Sequence, residues 1–174
     1  MDKSLMNPHL KSLNWLVGKW IGKNGTGKYP TIKSFKYSEL LEISHPAPHQ
    51  PVLHLKFSSW FENPETKEKK FAHFESGFLK VKPASSPIYV TYTSSHNNGL
   101  TIIEEGSYNE NECFFSIESN HIGRTSINKP PQVLKTKREF KLLNENKLSI
   151  KMFLSTSTNS DLDEHLYIEY EKES

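Results

Sequence analysis

A chain of 174 residues carries 22 lysines and arginines against 20 aspartates and glutamates, for a formal net charge of +2 with neutral histidines. That size suits one domain, residues 1–174, with a core or an enclosed cavity. The charge balance gives no field or stripe for nucleic acid, and the lone cysteine, Cys113, rules out a disulfide framework.

Met1–Leu5 lacks the apolar run of a signal peptide, and no apolar segment reaches the roughly 18 residues of a membrane helix. The expected setting is a reducing cytoplasm, with a size that also permits passive nuclear entry. A monomer or homodimer without nucleic-acid or membrane partners is expected. Pro8–Val17 sets Leu10, Leu13, Leu16 and Val17 at helical spacing behind an Asn7 cap and a Pro8 first residue. This short helix is expected to plug one end of a barrel.

A strand is predicted over Trp15–Ile21, running into a glycine cluster, Gly18, Gly22, Gly25 and Gly27, that ends at Tyr29-Pro30. Gly22–Lys28 fits the spacing of a phosphate-binding loop. Tyr29, however, stands where a magnesium-binding hydroxyl belongs, and no helix start follows. The cluster reads instead as a strand that bends sharply at the base of a small barrel, with Trp20 seeking a core for its ring and a partner for its N–H.

Further strands are predicted over 35–44, 52–61, 69–81, 88–95, 100–108, 112–119, 121–127, 133–143, 148–156 and 164–172. Proline-bearing loops, the Pro83–Pro87 segment and the turns Asn97-Asn98-Gly99 and Asn144-Glu145-Asn146 punctuate them. Leu53, Leu55 and Phe57 alternate with His54, Lys56 and Ser58; Leu148, Ile150, Met152 and Leu154 form a second apolar face, and Cys113, Phe115 and Ile117 a third. The fold class is all-β: an antiparallel barrel of about ten strands, closed because so many strands would otherwise leave edges exposed.

Eight histidines are spread along the chain. His9, His45 and His49 fall in loops and are expected in solvent, and His54 alternates outward. His73, His96, His121 and His165 lie on or beside strands, where a neutral ring bonded to a backbone carbonyl is the common fate. No H-x-x-x-H or C-x-x-C pattern exists, and a two-histidine, one-carboxylate site has no linear spacing to support it. Glu104 and Glu105 are adjacent on a strand and face opposite ways, so one should be exposed and the other paired inside.

Gly18-x-Trp20-x-Gly22, Gly25, Gly27 and Tyr29-Pro30-Thr31 together resemble the glycine signature of the nitrobindins. Phe35-x-Tyr37-x-Glu39, His73-x-Glu75-x-Gly77-Phe78, Glu104-Glu105-Gly106, Ser155–Thr158 and His165-Leu166 extend the resemblance over Trp15–Tyr170. It implies a ten-stranded barrel shaped like a fatty-acid-binding protein and holding ferric heme b, with His165 as the iron ligand and catalytic centre. It also implies heme contact at Thr31, cavity positions at His73, His96 and Leu154, and a glycine cluster, with Trp20, that borders the cofactor, Gly25 and Gly27 at positive φ or against the heme edge. The implied activity is nitric oxide binding and isomerisation of peroxynitrite to nitrate. The competing class is a carrier of a hydrophobic small molecule, or a nitric oxide sensor without turnover. Three departures stand out: an extra residue, Asn24, in the glycine motif; His96 where the family has glutamine; and Leu154 where it has methionine. His96, beside a turn, is expected at the mouth, where it would compete for the iron if within bonding distance, hydrogen-bond an iron-bound ligand if farther off, which is the favoured reading, or stand on the rim as a surface-loop residue. Strict alternation from His165 would turn Tyr167 and Glu169 inward and Leu166, Ile168 and Tyr170 outward; either a bulge shifts the phase, or the cleft is open enough that the far face packs against the N-terminal helix.

Overall fold

A computed structural model describes residues 6–82 and 85–173; the readings made for Met1–Leu5 and for the beginning of the Pro83–Pro87 segment lie outside the described residues. A 3-10 helix, Pro8–Leu16, precedes ten strands: β1 (Gly18–Tyr29), β2 (Ile32–Ser44), β3 (Val52–Glu62), β4 (Lys69–Val81), β5 (Ile88–His96), β6 (Leu100–Asn109), β7 (Phe114–Arg124), β8 (Val133–Asn144), β9 (Lys147–Thr156) and β10 (Asn159–Lys172). Each pairs antiparallel with its neighbours in the chain, and β1 pairs with β10, so the barrel closes and no edge is left open.

Most predicted strands recur within a few residues. Two differences have clear causes. The helix runs through Leu16, so β1 begins at Gly18, whose φ of 138° makes the corner between them. The predicted strands 112–119 and 121–127 merge into β7, because a register shift opposite Ile103 and Glu104 carries the chain past Asn120 without a break.

The up-and-down topology gives the barrel two ends. At one end the helix buries Leu10, Leu13 and Leu16 against Trp20, Phe115, Phe140 and Tyr170. Its capping is specific: Asn7 Oδ1 accepts from the His9 N–H, Trp20 Nε1 donates to the Leu16 carbonyl at 2.7 Å, and Trp15 Nε1 donates to the Tyr108 hydroxyl. This is the plug expected from the leucine spacing. His45 also differs from expectation. It is buried, and its ring bonds the Gln50 carbonyl at 3.1 Å, because the proline loop folds over it.

Candidate functional site

At the other end the barrel keeps a cavity of about 320 Å³. The starts of β2, β4, β6, β8 and β10 and the ends of β3, β5 and β9 meet there, and Phe35, Trp60, Ile102, Leu154 and Leu166 are part of its apolar wall.

β1 explains why space remains. Trp20, Gly22, Gly25, Gly27 and Tyr29 all face inward, although their spacing breaks between Gly22 and Gly25. A bulge at Lys23 and Asn24 shifts the register there and turns both residues outward. The extra Asn24 is thus absorbed inside the strand and does not lengthen a loop. Among the described residues only Gly18 and Gly99 are glycines with positive φ, so Gly25 and Gly27 do not meet the positive-φ alternative of that expectation. Their role is room: a Cβ at Gly22 would strike Ile168, at Gly25 the Tyr37 ring and at Gly27 the Phe35 ring. Phe35 and Tyr37 then line the cavity, so Gly25 and Gly27 border it one layer removed, whereas Gly22 packs on Ile168 away from it.

His165 sits at a second bulge. Glu164 pairs with Phe153 and Leu166 pairs with Met152, which leaves His165 as the unpaired extra residue. The phase of β10 flips at that point. His165 and Leu166 both line the cavity, Ile168 and Tyr170 continue inward, and Glu169 is exposed. The bulge reconciles an inward His165 with an apolar interior. Its Nδ1–H donates to the Lys28 carbonyl at 3.0 Å, which leaves Nε2 as the basic nitrogen. Tyr29 and Phe35 hold the ring edge-on at 5.6 and 6.3 Å. Burial lowers its pKa, against the opposing pull of the Lys28 carbonyl, so the ring stays neutral and able to ligate.

Across the barrel, register assembles what linear spacing did not suggest. His73 and Glu75 are two apart on β4, and Glu75 pairs directly with His96 on β5. His96 Nδ1 lies 3.2 Å from His73 Nε2 and 3.5 Å from Glu75 Oε2. The far nitrogen of His96 bonds Ser94 Oγ at 3.0 Å, and the side chain is only 3% exposed. The histidine expected at a mobile mouth is therefore the last residue of β5, fixed by packing. Burial pulls its pKa down to about 4, with Glu75 opposing.

Beneath this wall runs a buried ionic network. Arg138 Nη1 donates to Glu75 Oε1 at 2.7 Å, and its Nε lies 2.9 Å from Glu104 Oε2 in an ionic contact. Thr136 donates to Glu104 and Tyr92 to Glu75. Burial works to raise Glu75, but Arg138, His73 and His96 outweigh it and hold the carboxyl well below the usual range. At Glu39 burial wins instead and pushes the carboxyl up to about 7, against the hydrogen bond from Tyr170 and the weaker pull of His73 and Arg138. Glu104 is the internal partner expected of its pair, whereas Glu105 meets Asn120 on the outer face. Trp60 Nε1 is a buried donor without a partner among the described residues.

Of the sequence-predicted residues, the structure brings His165, His73, His96 and Leu154 together around the cavity. It does not bring Thr31, which is exposed in the turn between β1 and β2. Gly18 and Trp20 lie at the helix-capped end, Trp20 wholly buried in the core. Arg138 escaped the sequence reading. The one signal was an arginine amid the inward alternation of Thr136 and Phe140 on β8.

A closed barrel that keeps a partly apolar cavity, with one tautomer-fixed imidazole on its wall, defines a cofactor-holding β-barrel. The sequence model described as THAP4-like, heme-binding beta-barrel domain matches residues 9–172, and the chain belongs to that family. It is 36% identical over 168 residues to the human protein named Peroxynitrite isomerase THAP4, covering 96% of this chain and 27% of that protein. The chain therefore spans about a quarter of the length of such relatives. It is 32% identical to Arabidopsis thaliana Peroxynitrite isomerase Rv2717c, covering 92% of this chain and 87% of that one. The crystal structure of Rv2717c from M. tuberculosis superposes with a TM-score of 0.81 at 25% identity, over 97% of this chain and 99% of that one. The nitrobindin resemblance read from the glycine signature is thereby borne out.

Proposed function

We propose that this chain binds ferric heme b through His165, binds nitric oxide and isomerises peroxynitrite to nitrate. The observation that carries the reading is the bulged His165, which has its Nδ1 proton committed to the Lys28 carbonyl and its Nε2 left basic. The names of the human and plant relatives support the activity. The residues present suit a heme. One neutral imidazole is available as ligand, Phe35, Ile102, Leu154 and Leu166 form an apolar wall, and the unpartnered Trp60 N–H offers a donor to an anionic group.

A bound ferric heme supplies Lewis acidity that assists O–O cleavage in a peroxynitrite anion and its rearrangement to nitrate. The chain's own work is positional. The Lys28 carbonyl fixes the His165 tautomer, and the edge contacts of Tyr29 and Phe35 fix its plane. The apolar wall limits water, and Glu39, poised at about 7, holds or releases a proton at the cavity. Thr31 stays a proposed rim contact.

Hemin titration of the purified chain tests the reading. A Soret band should form with wild type and be lost or shifted in His165→Ala, and peroxynitrite decay should slow with it. An identical spectrum in the variant, or no band with wild type, sinks heme ligation by His165 and favours a carrier without turnover.

A further inference from the structure

The cavity wall opposite β10 in strand order holds a second set of ligand atoms. β4 and β5 stand four and five strands from β10 around the closed ring. On them His73 Nε2, His96 Nδ1 and Glu75 Oε2 form a triangle with sides of 3.2, 3.5 and 3.7 Å. Ligand atoms at about 2.1 Å from a tetrahedral zinc-class ion stand roughly 3.4 Å apart. The observed triangle thus matches three vertices of such a tetrahedron without moving a strand.

We propose that His73, Glu75 and His96 form a second, non-heme site for a divalent zinc-class cation, whose fourth position takes water or a small oxyanion from the cavity.

The surroundings of each ligand favour this use. His96 keeps one ring nitrogen for Ser94 Oγ, and assigning its proton there leaves Nδ1 with a lone pair facing His73. Glu75 directs Oε1 to Arg138 and Tyr92 and leaves Oε2 to the two imidazoles. Without a cation, one proton between His73 Nε2 and His96 Nδ1 holds the two nitrogens at 3.2 Å; a cation takes that proton's place and His73 moves its proton to Nδ1. The partners of Oε1 fix the conformation of the carboxylate, and Oε2 is left facing two imidazole nitrogens that also face each other, which is the donor set of a two-histidine, one-carboxylate site. With Arg138 offset by Glu75 and Glu104, the group carries a formal charge of −1 that a divalent cation reverses to +1, which suits an anionic fourth ligand.

The test titrates the chelator-washed chain with Co2+, with and without bound hemin, and reads the visible bands of tetrahedral Co2+ and the Soret band separately. One Co2+ should bind per chain in both forms. His96→Gln, a near-isosteric change that leaves Arg138 paired, should weaken it at least tenfold, and His73→Leu likewise. His165→Ala should alter the Soret band and leave the Co2+ bands unchanged. Absence of Co2+ bands in wild type, unchanged affinity in His96→Gln, loss in His165→Ala, or displacement of Co2+ by hemin each overturns the second site. None of those results bears on heme ligation, which the Soret band reports.

Discussion

The two ends of this barrel are built by opposite rules. The capped end is filled by Leu10, Leu13, Leu16, Trp20, Phe115 and Phe140, all wholly buried, with Phe115 and Phe140 stacked at 4.4 Å. Towards the open end the interior holds an arginine, three glutamates and an imidazole pair around unfilled space. Apolar packing is close to additive and insensitive to pH, whereas a buried ionic set is stable only while every charge keeps its partner. The contrast divides stability from chemistry along the barrel axis.

The largest effect expected from breaking that contrast is at Arg138. Replacing it with methionine leaves Glu75 and Glu104 buried without their cation and should cost about 3–5 kcal/mol in denaturant unfolding at pH 7. Leu13→Ala, its counterpart at the capped end, should cost about 2–5 kcal/mol. The two are separated by pH. The Arg138→Met deficit should shrink as acid protonates the stranded carboxylates, while that of Leu13→Ala should hold steady. Parallel curves would show that the ionic set behaves as ordinary packing.

Next in size is Glu39. Its folded pKa of about 7 lies above the ordinary 4.5, so the folded state binds the extra proton and stability falls as pH rises between those values. His96 works the other way. Its folded value of about 4 lies below 6.5, so stability rises with pH across that window. The two slopes oppose each other from about 4.5 to 6.5. Glu39→Gln keeps an acceptor for Tyr170 and removes one slope. Its stability should climb relative to wild type by on the order of 2–3 kcal/mol between pH 4.5 and 7, read from urea midpoints. A constant difference would place the titration elsewhere.

What was legible in the sequence follows the same division. The strands and the helical plug could be read because alternation such as Leu53, Leu55, Phe57 and the leucine spacing of Pro8–Leu16 are local signals. Within the site, His165, His73, His96 and Leu154 were reached through the family signature, and all four line the cavity. The imidazole–carboxylate set was missed because its geometry exists only across β4 and β5, through the pairing of Glu75 with His96. The place of Asn24 and the phase of His165 both depended on bulges, and an inserted residue reverses every later side chain without leaving a mark in composition.

The smallest effect tests two glycines of one motif at the two ends. Gly18 sits at the capped end with φ of 138°, where an added Cβ is strained and meets the Lys172 side chain. Gly27 has ordinary strand geometry, but its missing Cβ is the space that the Phe35 ring occupies. Gly18→Ala should therefore lower stability by about 1–3 kcal/mol through backbone strain and leave hemin affinity per folded molecule unchanged. Gly27→Ala pushes Phe35 off its seat, and that ring lines the cavity and packs edge-on against both Phe61 and His165. The displaced ring either takes ligand space or releases the histidine plane, so hemin affinity should fall about tenfold, near 1.4 kcal/mol. Its stability should drop by about 1 kcal/mol, at the low end for overpacking, because the ring has open cavity to move into. The pair is read by hemin titration and thermal melting on the same samples. If Gly27→Ala melts early yet binds hemin normally, the motif serves the fold at both ends, and the division along the axis starts beyond β1.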